Sequence, residues 1–274
     1  MCRLLKVSRS GYYSWRGRRK SPRAKSNERL LRQILEVYLK SKGRYGSPRI
    51  YEELKSQGIS CSRPRVARIM KANGIRSKIK KRYKITTKSN HKRAISPNLL
   101  QAAPTPREIN RIWLSDITYI WTREGWLYLA AILDLFNRQI VGWSLSDNLK
   151  KELVGQAIQR AIGHRKPRSP LIFHSDRGSQ YASKAFRCLL KAHGIKGSMS
   201  RKGDCWDNAV VESFFGSLKQ ERVQWRNYQT RYEAQQDILE YISMFYNGSR
   251  LHSYLGYMSP NDFERQILEQ RKVA

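Results

Sequence analysis

The chain has 274 residues, of which 40% are apolar, so it is long enough for one medium-sized domain and one or two small ones. Its formal net charge of +33 far exceeds what solubility requires and indicates a polyanionic partner, either nucleic acid or an anionic membrane. No stretch approaches the about 18 uncharged apolar residues of a membrane-spanning helix, and the N-terminus lacks an apolar signal core. These features argue against a membrane or secreted protein.

The four cysteines, Cys2, Cys61, Cys188 and Cys205, are scattered along the chain. No two of them form a C-x-x-C pair, so we expect neither a disulfide framework nor a structural zinc site. This usage is typical of a reducing compartment.

The positive charge is concentrated in the first third of the chain. Residues 1–100 hold 29 Lys and Arg against four acids, whereas residues 101–274 hold 25 against 17. This asymmetry predicts a nucleic-acid-binding region in front of a more ordinary globular domain.

Residues 1–26 form a basic lead-in containing the segment LLKVSRSGYYSW. Ser8 is expected to cap a short helix. The segment fits the second half of a helix-turn-helix, and it fits a basic amphipathic helix equally well.

Residues 27–75 show three stretches of helical periodicity, which predict a small all-α domain. Ser47 and Pro48 are expected to begin the second helix, with the serine as its cap, and Gly58 to end it. The inner faces are expected to carry Leu30, Leu31, Ile34, Val37 and Tyr38, then Ile50, Tyr51 and Leu54, and then Val66, Ile69 and Met70.

The third helix of this domain is basic. Arg65 and Arg68 lie about one turn apart and are expected to point outward, as in a DNA-binding helix-turn-helix. A three-helix domain with a solvated basic face is the alternative interpretation.

Residues 76–108 are predicted to be a basic linker. Nine Lys and Arg and no acid lie within residues 76–93, and Pro97, Pro104 and Pro106 follow. Such a segment can lie along phosphates without reading base sequence.

The pattern changes to strands in residues 109–227. Ile112–Ile120, Leu127–Phe136 and Gln139–Leu145 predict an antiparallel meander, because only short polar turns separate them. The elements expected next are a helix (Lys150–Ile162), a strand (Leu171–His174), a helix (Ser183–Ala192), a strand (Ile195–Met199) and a helix (Asp207–Arg222). The order βββαβαβα predicts an α/β, ribonuclease-H-like core with a mixed five-stranded sheet.

Residues 228–274 are expected to form a last helix and a tail packed on the core. Thr230 and Glu233 form a capping box at the start of that helix. An apolar stripe follows, of the kind that forms core or interface, at Ala234, Ile238, Tyr241, Ile242, Phe245 and Tyr246.

Three carboxylates occupy positions that are typical of catalytic or metal-binding residues. Asp116 lies inside an apolar strand, where an unpaired acid is costly. Asp176 follows an apolar strand at a glycine-containing turn, a common position for functional groups in α/β sheets. Glu212 lies on a helix and shares one face with Lys219, because seven residues span nearly two turns.

Three acids at these positions could converge on a pair of Mg²⁺ ions, which prefer oxygen ligands. Two such ions about 3.5–4 Å apart clamp the attacking and leaving oxygens of a phosphodiester. Lys219 would then hold a DNA phosphate. The competing acids are Asp134, which could pair with Arg138, and Asp204 and Asp207, which suit a helix N-terminus.

These motifs resemble the integrase-like transposases of bacterial insertion sequences with two overlapping reading frames, specifically the second-frame product. Thirty-five residues separate Asp176 from Glu212, which is the family's spacing. The resemblance rests on WLSDITYI, on Asp134-Leu135 with Arg138 and Val141-Gly142-Trp143, on HSDRGSQY, on Asp207-Asn208-Ala209, on ESFF with Lys219, and on Tyr246-Asn247, Arg250, His252, Leu255-Gly256-Tyr257 and Ser259-Pro260.

The resemblance implies that Asp116, Asp176 and Glu212 are the catalytic, metal-binding residues of a Mg²⁺-dependent enzyme, with Mn²⁺ as a substitute. It implies cleavage at transposon ends, transfer of a 3′-hydroxyl to target double-stranded DNA, and a homo-oligomer acting on paired ends. Arg177 is a further expected DNA contact. We expect a cytoplasmic, nucleoid-associated bacterial protein, fused to or associated with the upstream-frame product, which supplies the main end-recognising helix-turn-helix.

Two other functions remain open from the sequence. One is a ribonuclease-H-like nuclease, such as a junction resolvase, although these usually need a fourth acid. The other is a non-enzymatic DNA-binding regulator derived from a mobile element, which the intact set of three acids disfavours.

Overall fold

A computed structural model of the chain describes residues 2, 4–78, 96–100, 103, 105–168, 170–200 and 208–273. Two compact units are present, Met1–Lys78 and Ile79–Ala274. Most of the basic segment predicted over residues 76–93 lies outside the described residues, and so do Asp204 and Asp207. Within the described part of the chain, no helix is both long enough and apolar enough to cross a membrane.

The first unit is all-helical and contains α1 (Arg9–Arg16), α2 (Pro22–Lys40), α3 (Ser47–Ser56) and α4 (Arg63–Ala72). Ser8 caps α1 as predicted, since its hydroxyl accepts a hydrogen bond from the Gly11 amide at 3.0 Å. Ser21 caps α2 in the same way, so this helix runs through the boundary placed between residues 26 and 27.

The core of the first unit is built from the apolar faces of α2, α3 and α4. Most of the predicted inner residues are buried, namely Leu30, Ile34, Val37, Ile50, Leu54, Val66, Ile69 and Met70, whereas Leu31, Tyr38 and Tyr51 are half-buried. The expected cap of α3 was wrong. Ser47 is already helical, and Gly46 occupies the capping position without a side-chain hydrogen bond.

The second unit is built on a five-stranded sheet. Its strands are β1 (Ile112–Thr122), β2 (Gly125–Asp134), β3 (Ile140–Ser146), β4 (Leu171–Ser175) and β5 (Ile195–Met199). Their spatial order is β3-β2-β1-β4-β5. The first three strands form the predicted antiparallel meander, and β4 and β5 are added in parallel to β1.

Helices cover both faces of the sheet. One face packs against α5 (Lys151–Arg165) and α6 (Lys184–Ala192), and the other packs against α7 (Ala209–Glu221) and α8 (Arg231–Glu240). Gly142 on β3 lets α5 approach the sheet closely, because a Cβ there would lie 2.5 Å from the Ala157 carbonyl oxygen. The predicted ribonuclease-H-like order of elements is therefore observed.

The C-terminal segment differs from the prediction of one last helix. Thr230 caps α8 as expected, but the helix passes into a π-helical stretch over Tyr241–Tyr246. A further helix, α9 (Pro260–Val273), then follows. The sequence marks the start of this helix with Ser259 followed by Pro260, a pair typical of a helix N-terminus. In the structure, the Ser259 hydroxyl accepts a hydrogen bond from the Asp262 amide at 3.2 Å, and Pro260 occupies the first turn.

Candidate active site

Asp116 and Asp176 are brought together by the parallel pairing of β1 with β4. The last paired residues are Ser115 and Ser175, so the two aspartates occupy the next position on each strand. Neighbouring strands lie about 4.8 Å apart, and side chains alternate between the two faces. The aspartates therefore start from adjacent backbone positions at the end of β4 and share one face of the sheet.

The third acid reaches this place through α7. Leu114 and Ile120 on β1 belong to the same core as Val211, Phe214 and Leu218 on α7. Asp116 has the same strand parity as Leu114 and Ile120, so it lies on the face that α7 covers. Glu212 is in the first turn of α7, and Lys219 lies two turns further along the helix.

The charges of the three acids act on one another. The pKa of Asp116 is raised to about 8, first by burial and then by the charges of Asp176 and Glu212, while the Ile117 amide and Lys219 act to lower it. The pKa of Glu212 is also raised, by partial desolvation and by Asp176, although most of this side chain is exposed. All three pairs of carboxylates are thus close enough to repel one another.

The donor set fits a hard divalent cation, since it consists of carboxylate oxygens and is crowded with like charge. Within the described residues, no three His, Cys, Asp or Glu side chains are close enough together to hold a metal ion as they stand. A bound cation would offset the repulsion among the three carboxylates.

The turn that carries Asp176 is fixed from two sides. The Asp176 carboxylate accepts a hydrogen bond from the Gly178 amide at 2.9 Å. The Tyr181 hydroxyl lies 2.9 Å from that of Ser115, and both side chains are fully buried on the other face of the sheet. This bond ties the turn to β1 beside Asp116. Sequence reasoning did not assign Tyr181 this role, because its partner is 66 residues away.

Asp134 belongs to a different environment from the three acids. It is fully buried and accepts hydrogen bonds from the amides of Asn110, at 2.6 Å, and Phe136, at 2.9 Å. The suggested pairing with Arg138 was wrong, because the Arg138 guanidinium lies 3.9 Å from the ring centre of Tyr254. Asp134 therefore holds the segment before β1 against the end of β2.

The far end of α7 is anchored by buried charges. Glu221 receives hydrogen bonds from Arg250, at 2.7 Å to Nη2, and from the Tyr241 hydroxyl, at 2.8 Å. Arg222, the residue after α7, donates from Nε to both carboxylate oxygens of Asp237, at 2.9 and 2.8 Å. The helix that carries Glu212 is thus fixed to the C-terminal segment.

The four expected DNA contacts lie in different settings. Lys219 is buried, and its charge acts on Asp116. The Arg177 Nε donates to the Ser200 carbonyl at 2.8 Å. Arg68 is exposed, as expected.

Arg65 was expected to point outward, and it is half-buried, with its guanidinium bonded to the beginning of α2. Its Nε donates to Asn27 at 3.0 Å, and its Nη2 donates to Ser26 at 2.8 Å. The side chain therefore joins α4 to the beginning of α2.

Three protein families match the chain. Residues 106–205 match an integrase core domain, and residues 212–268 match a second integrase core domain family. Residues 25–83 match a helix-turn-helix-like domain. The fold and these matches define a protein with an integrase core of the polynucleotidyl transferase class and a helix-turn-helix-like N-terminal domain.

Close relatives cover almost the whole chain. An uncharacterized 31 kDa protein of insertion element IS600 from Shigella sonnei is 43% identical over 97% of this chain and 98% of its own length. Transposase InsF of insertion sequence IS3A from Escherichia coli K12 is 40% identical over 98% of this chain and 94% of its own length. The chain therefore belongs to the IS3-type insertion-sequence transposases.

Among solved structures, the integrase catalytic core domain of HTLV-2 in complex with magnesium has a TM-score of 0.45 and 18% identity. That similarity covers 57% of this chain and 96% of that chain.

Proposed function

We propose that this transposase cuts DNA at transposon ends and joins the 3′-hydroxyl to target DNA at a site formed by Asp116, Asp176 and Glu212. The observation that carries the proposal is their convergence at the end of β4, where each carboxylate is within electrostatic reach of the other two. A carboxylate cluster of this kind suits phosphodiester chemistry better than acyl or glycosyl transfer, because it can bind cations that neutralise phosphate charge.

The three carboxylates would hold Mg²⁺, and Mn²⁺ could replace it, since both ions accept carboxylate oxygens. When bound, a pair of such ions supplies an activated hydroxyl and stabilises the leaving oxygen. A bound cation would favour the ionised form of Asp116, because its charge would oppose the burial and the neighbouring acids that raise the pKa of this side chain. Lys219 supports the same site, since its buried charge lies beside Asp116.

The DNA partner is supported by the distribution of charge. The helix-turn-helix-like unit and the basic segment after it hold most of the net charge of +33, which suits phosphate binding along a duplex. Arg68 is exposed for such a contact, and Arg177 lies next to Asp176 in the chain. Pairing of two transposon ends by a homo-oligomer, together with the upstream-frame product, completes the proposed assembly.

A strand-transfer assay with pre-cut duplex ends, supercoiled target DNA and Mg²⁺ tests the proposal. We expect Asp116→Asn, Asp176→Asn and Glu212→Gln each to reduce joining by at least about a hundredfold, because each removes a ligand of the site. Asp147→Asn is the matched control, since Asp147 is exposed and the charge change is the same. Full joining by any of the three site variants would overturn the proposal.

The same purified protein, assayed on two substrates, distinguishes this function from that of a ribonuclease-H-like nuclease. We expect covalent joining of the labelled end to the target and no cleavage of an RNA–DNA hybrid. Hybrid cleavage without joining would assign the site to a ribonuclease-H-like nuclease instead.

A further inference from the structure

The hairpin formed by β1 and β2 carries a row of aromatic side chains, of which one, Tyr128, packs against the core and the two tryptophans are largely exposed. Tyr119 lies opposite Tyr128, and Trp121 lies opposite Trp126. The four rings therefore share one face of the hairpin, and we call them the aromatic ladder. Its two tryptophans are 58% and 48% exposed, whereas Trp113 on the same strand is fully buried.

The ladder is held rigidly. The Trp121 and Trp126 rings meet edge to face with centres 4.9 Å apart, and the Tyr119 and Tyr128 rings do so at 5.9 Å. The opposite face of the hairpin packs against α8, through Ile120 on β1. The rings are thus ordered before any partner arrives, so little conformational entropy would be lost on binding.

The ladder lies beside the catalytic end of the sheet. Pairing of β1 with β4 stops at Ser115, so β1 continues past the end of β4 towards the hairpin turn. Trp121 is five residues beyond Asp116, which corresponds to about 17 Å along a strand. The ladder and Asp116 are on opposite faces of β1, so a bound chain that reaches both must pass over the edge of the strand.

Two arginines and one acid lie at the hairpin turn beside the ladder. Arg123 and Glu124 are exposed there, the Arg231 Nε donates to the Trp126 carbonyl at 3.2 Å, and the Arg231 amide donates to the Glu124 carboxylate at 2.7 Å, so one positive charge remains in excess. Gly125 keeps this turn tight with φ of +106°, where a Cβ would lie 3.0 Å from the Arg231 guanidinium. Exposed rings flanked by arginines suit a polyanion with flat apolar groups better than they suit a second copy of this basic chain, which would bring the same arginines.

We propose that the aromatic ladder is a stacking platform for unpaired DNA bases that flank the phosphate held at the three acids. Nucleic-acid bases stack on aromatic side chains regardless of sequence, because every base has a flat π-face. The span of about 17 Å corresponds to about five nucleotides if they stay stacked as in a duplex strand, at about 3.4 Å each. The proposal rests on the proposed function only in placing the reacting phosphate at Asp116.

Binding measurements without catalysis test the platform. In the Glu212→Gln background and without metal, fluorescence anisotropy compares a blunt duplex with the same duplex carrying a five-nucleotide single-stranded extension. We expect Trp121→Ala to weaken binding of the extended DNA by about tenfold and to leave the blunt duplex unchanged. Trp121→Phe keeps a ring and is expected to bind the extended DNA within about twofold of its parent.

Trp225→Ala is the matched control, because Trp225 is also about half-exposed, at 44%, and lies outside the ladder. It is expected to bind both DNAs like its parent. Equal binding of the extended DNA by Trp121→Ala and its parent, or an equal loss on both DNAs, would overturn the platform. A change in the oligomeric state of Trp121→Ala, measured by sedimentation, would also overturn it, because the ladder would then be a contact between copies of this chain. None of these outcomes depends on which residues catalyse joining.

Discussion

The anchor at the end of α7 allows a quantitative prediction for Arg250→Met. Arg250 and Glu221 are 7% and 9% exposed at their side chains, so the pair is almost completely withdrawn from water. Burial disfavours the arginine charge, but Glu221 outweighs it and raises the pKa of Arg250. Removing the arginine takes away the charge that Arg250 sets against the buried Glu221 carboxylate, which keeps its hydrogen bond from the Tyr241 hydroxyl.

Breaking a buried ion pair from one side costs about 3–5 kcal/mol. In a domain of this size such a loss lowers the melting temperature by roughly 6–20 °C. Thermal unfolding followed by circular dichroism measures the change. Arg250→Met combined with Glu221→Met is expected to recover most of it, because replacing both partners removes the uncompensated charge.

A second readout connects this anchor with the site. Glu212 is carried by the same helix, so we expect the single variant to need more Mg²⁺ for half-maximal joining, even well below its melting temperature. A melting temperature within about 2 °C of the parent in Arg250→Met, or a double variant less stable than the single one, would refute the reasoning.

Three further predictions concern charged residues. Since the pKa of Asp116 rises from 3.8 to about 8 on folding, the metal-free folded chain binds more protons than the unfolded chain between these values, and its stability falls as pH rises through this window. Without metal, thermal unfolding should therefore give Asp116→Asn a higher melting temperature than the parent at pH 8.5, and this difference should shrink towards pH 5. A difference in melting temperature that does not change with pH would contradict this. In the first unit, Arg68→Ala should lower the salt dependence of duplex binding by about one unit of log–log slope, without loss of stability. Arg65→Ala should instead cost about 1–2 kcal/mol of stability through its bonds to Ser26 and Asn27, and equal stability of the two variants would contradict the assignment.

Local patterns predicted the sheet and the positions of the acids. The strand Ile195–Met199 is found within its predicted bounds, and β4 extends one residue beyond its prediction, because short apolar runs between polar turns define a buried strand. The same patterns placed Asp116 inside its strand and Asp176 directly after another strand, whereas the parallel pairing that makes them neighbours is a property of the fold.

Contacts between distant parts of the chain could not be predicted. The periodicity of α4 places Arg65 on the outer side of that helix. In the structure its guanidinium is bonded to residues of α2 that lie 38 and 39 positions earlier in the chain. Arg250 and Glu221 lie 29 positions apart, with a π-helical stretch between them, and no local periodicity reveals their contact. The aromatic ladder could have been noticed, because Trp121 and Trp126 flank a glycine turn, but its exposure depends on where α5 and α8 pack.

The most direct test of the central claim is to count metal ions at the three acids. Electron paramagnetic resonance of Mn²⁺, titrated into the chain bound to a pre-cut DNA end, measures bound ions without requiring turnover. The account predicts two ions per active site in the parent and in Asp147→Asn, and at most one in Asp116→Asn, Asp176→Asn or Glu212→Gln. Two tightly bound ions in all three site variants would contradict it.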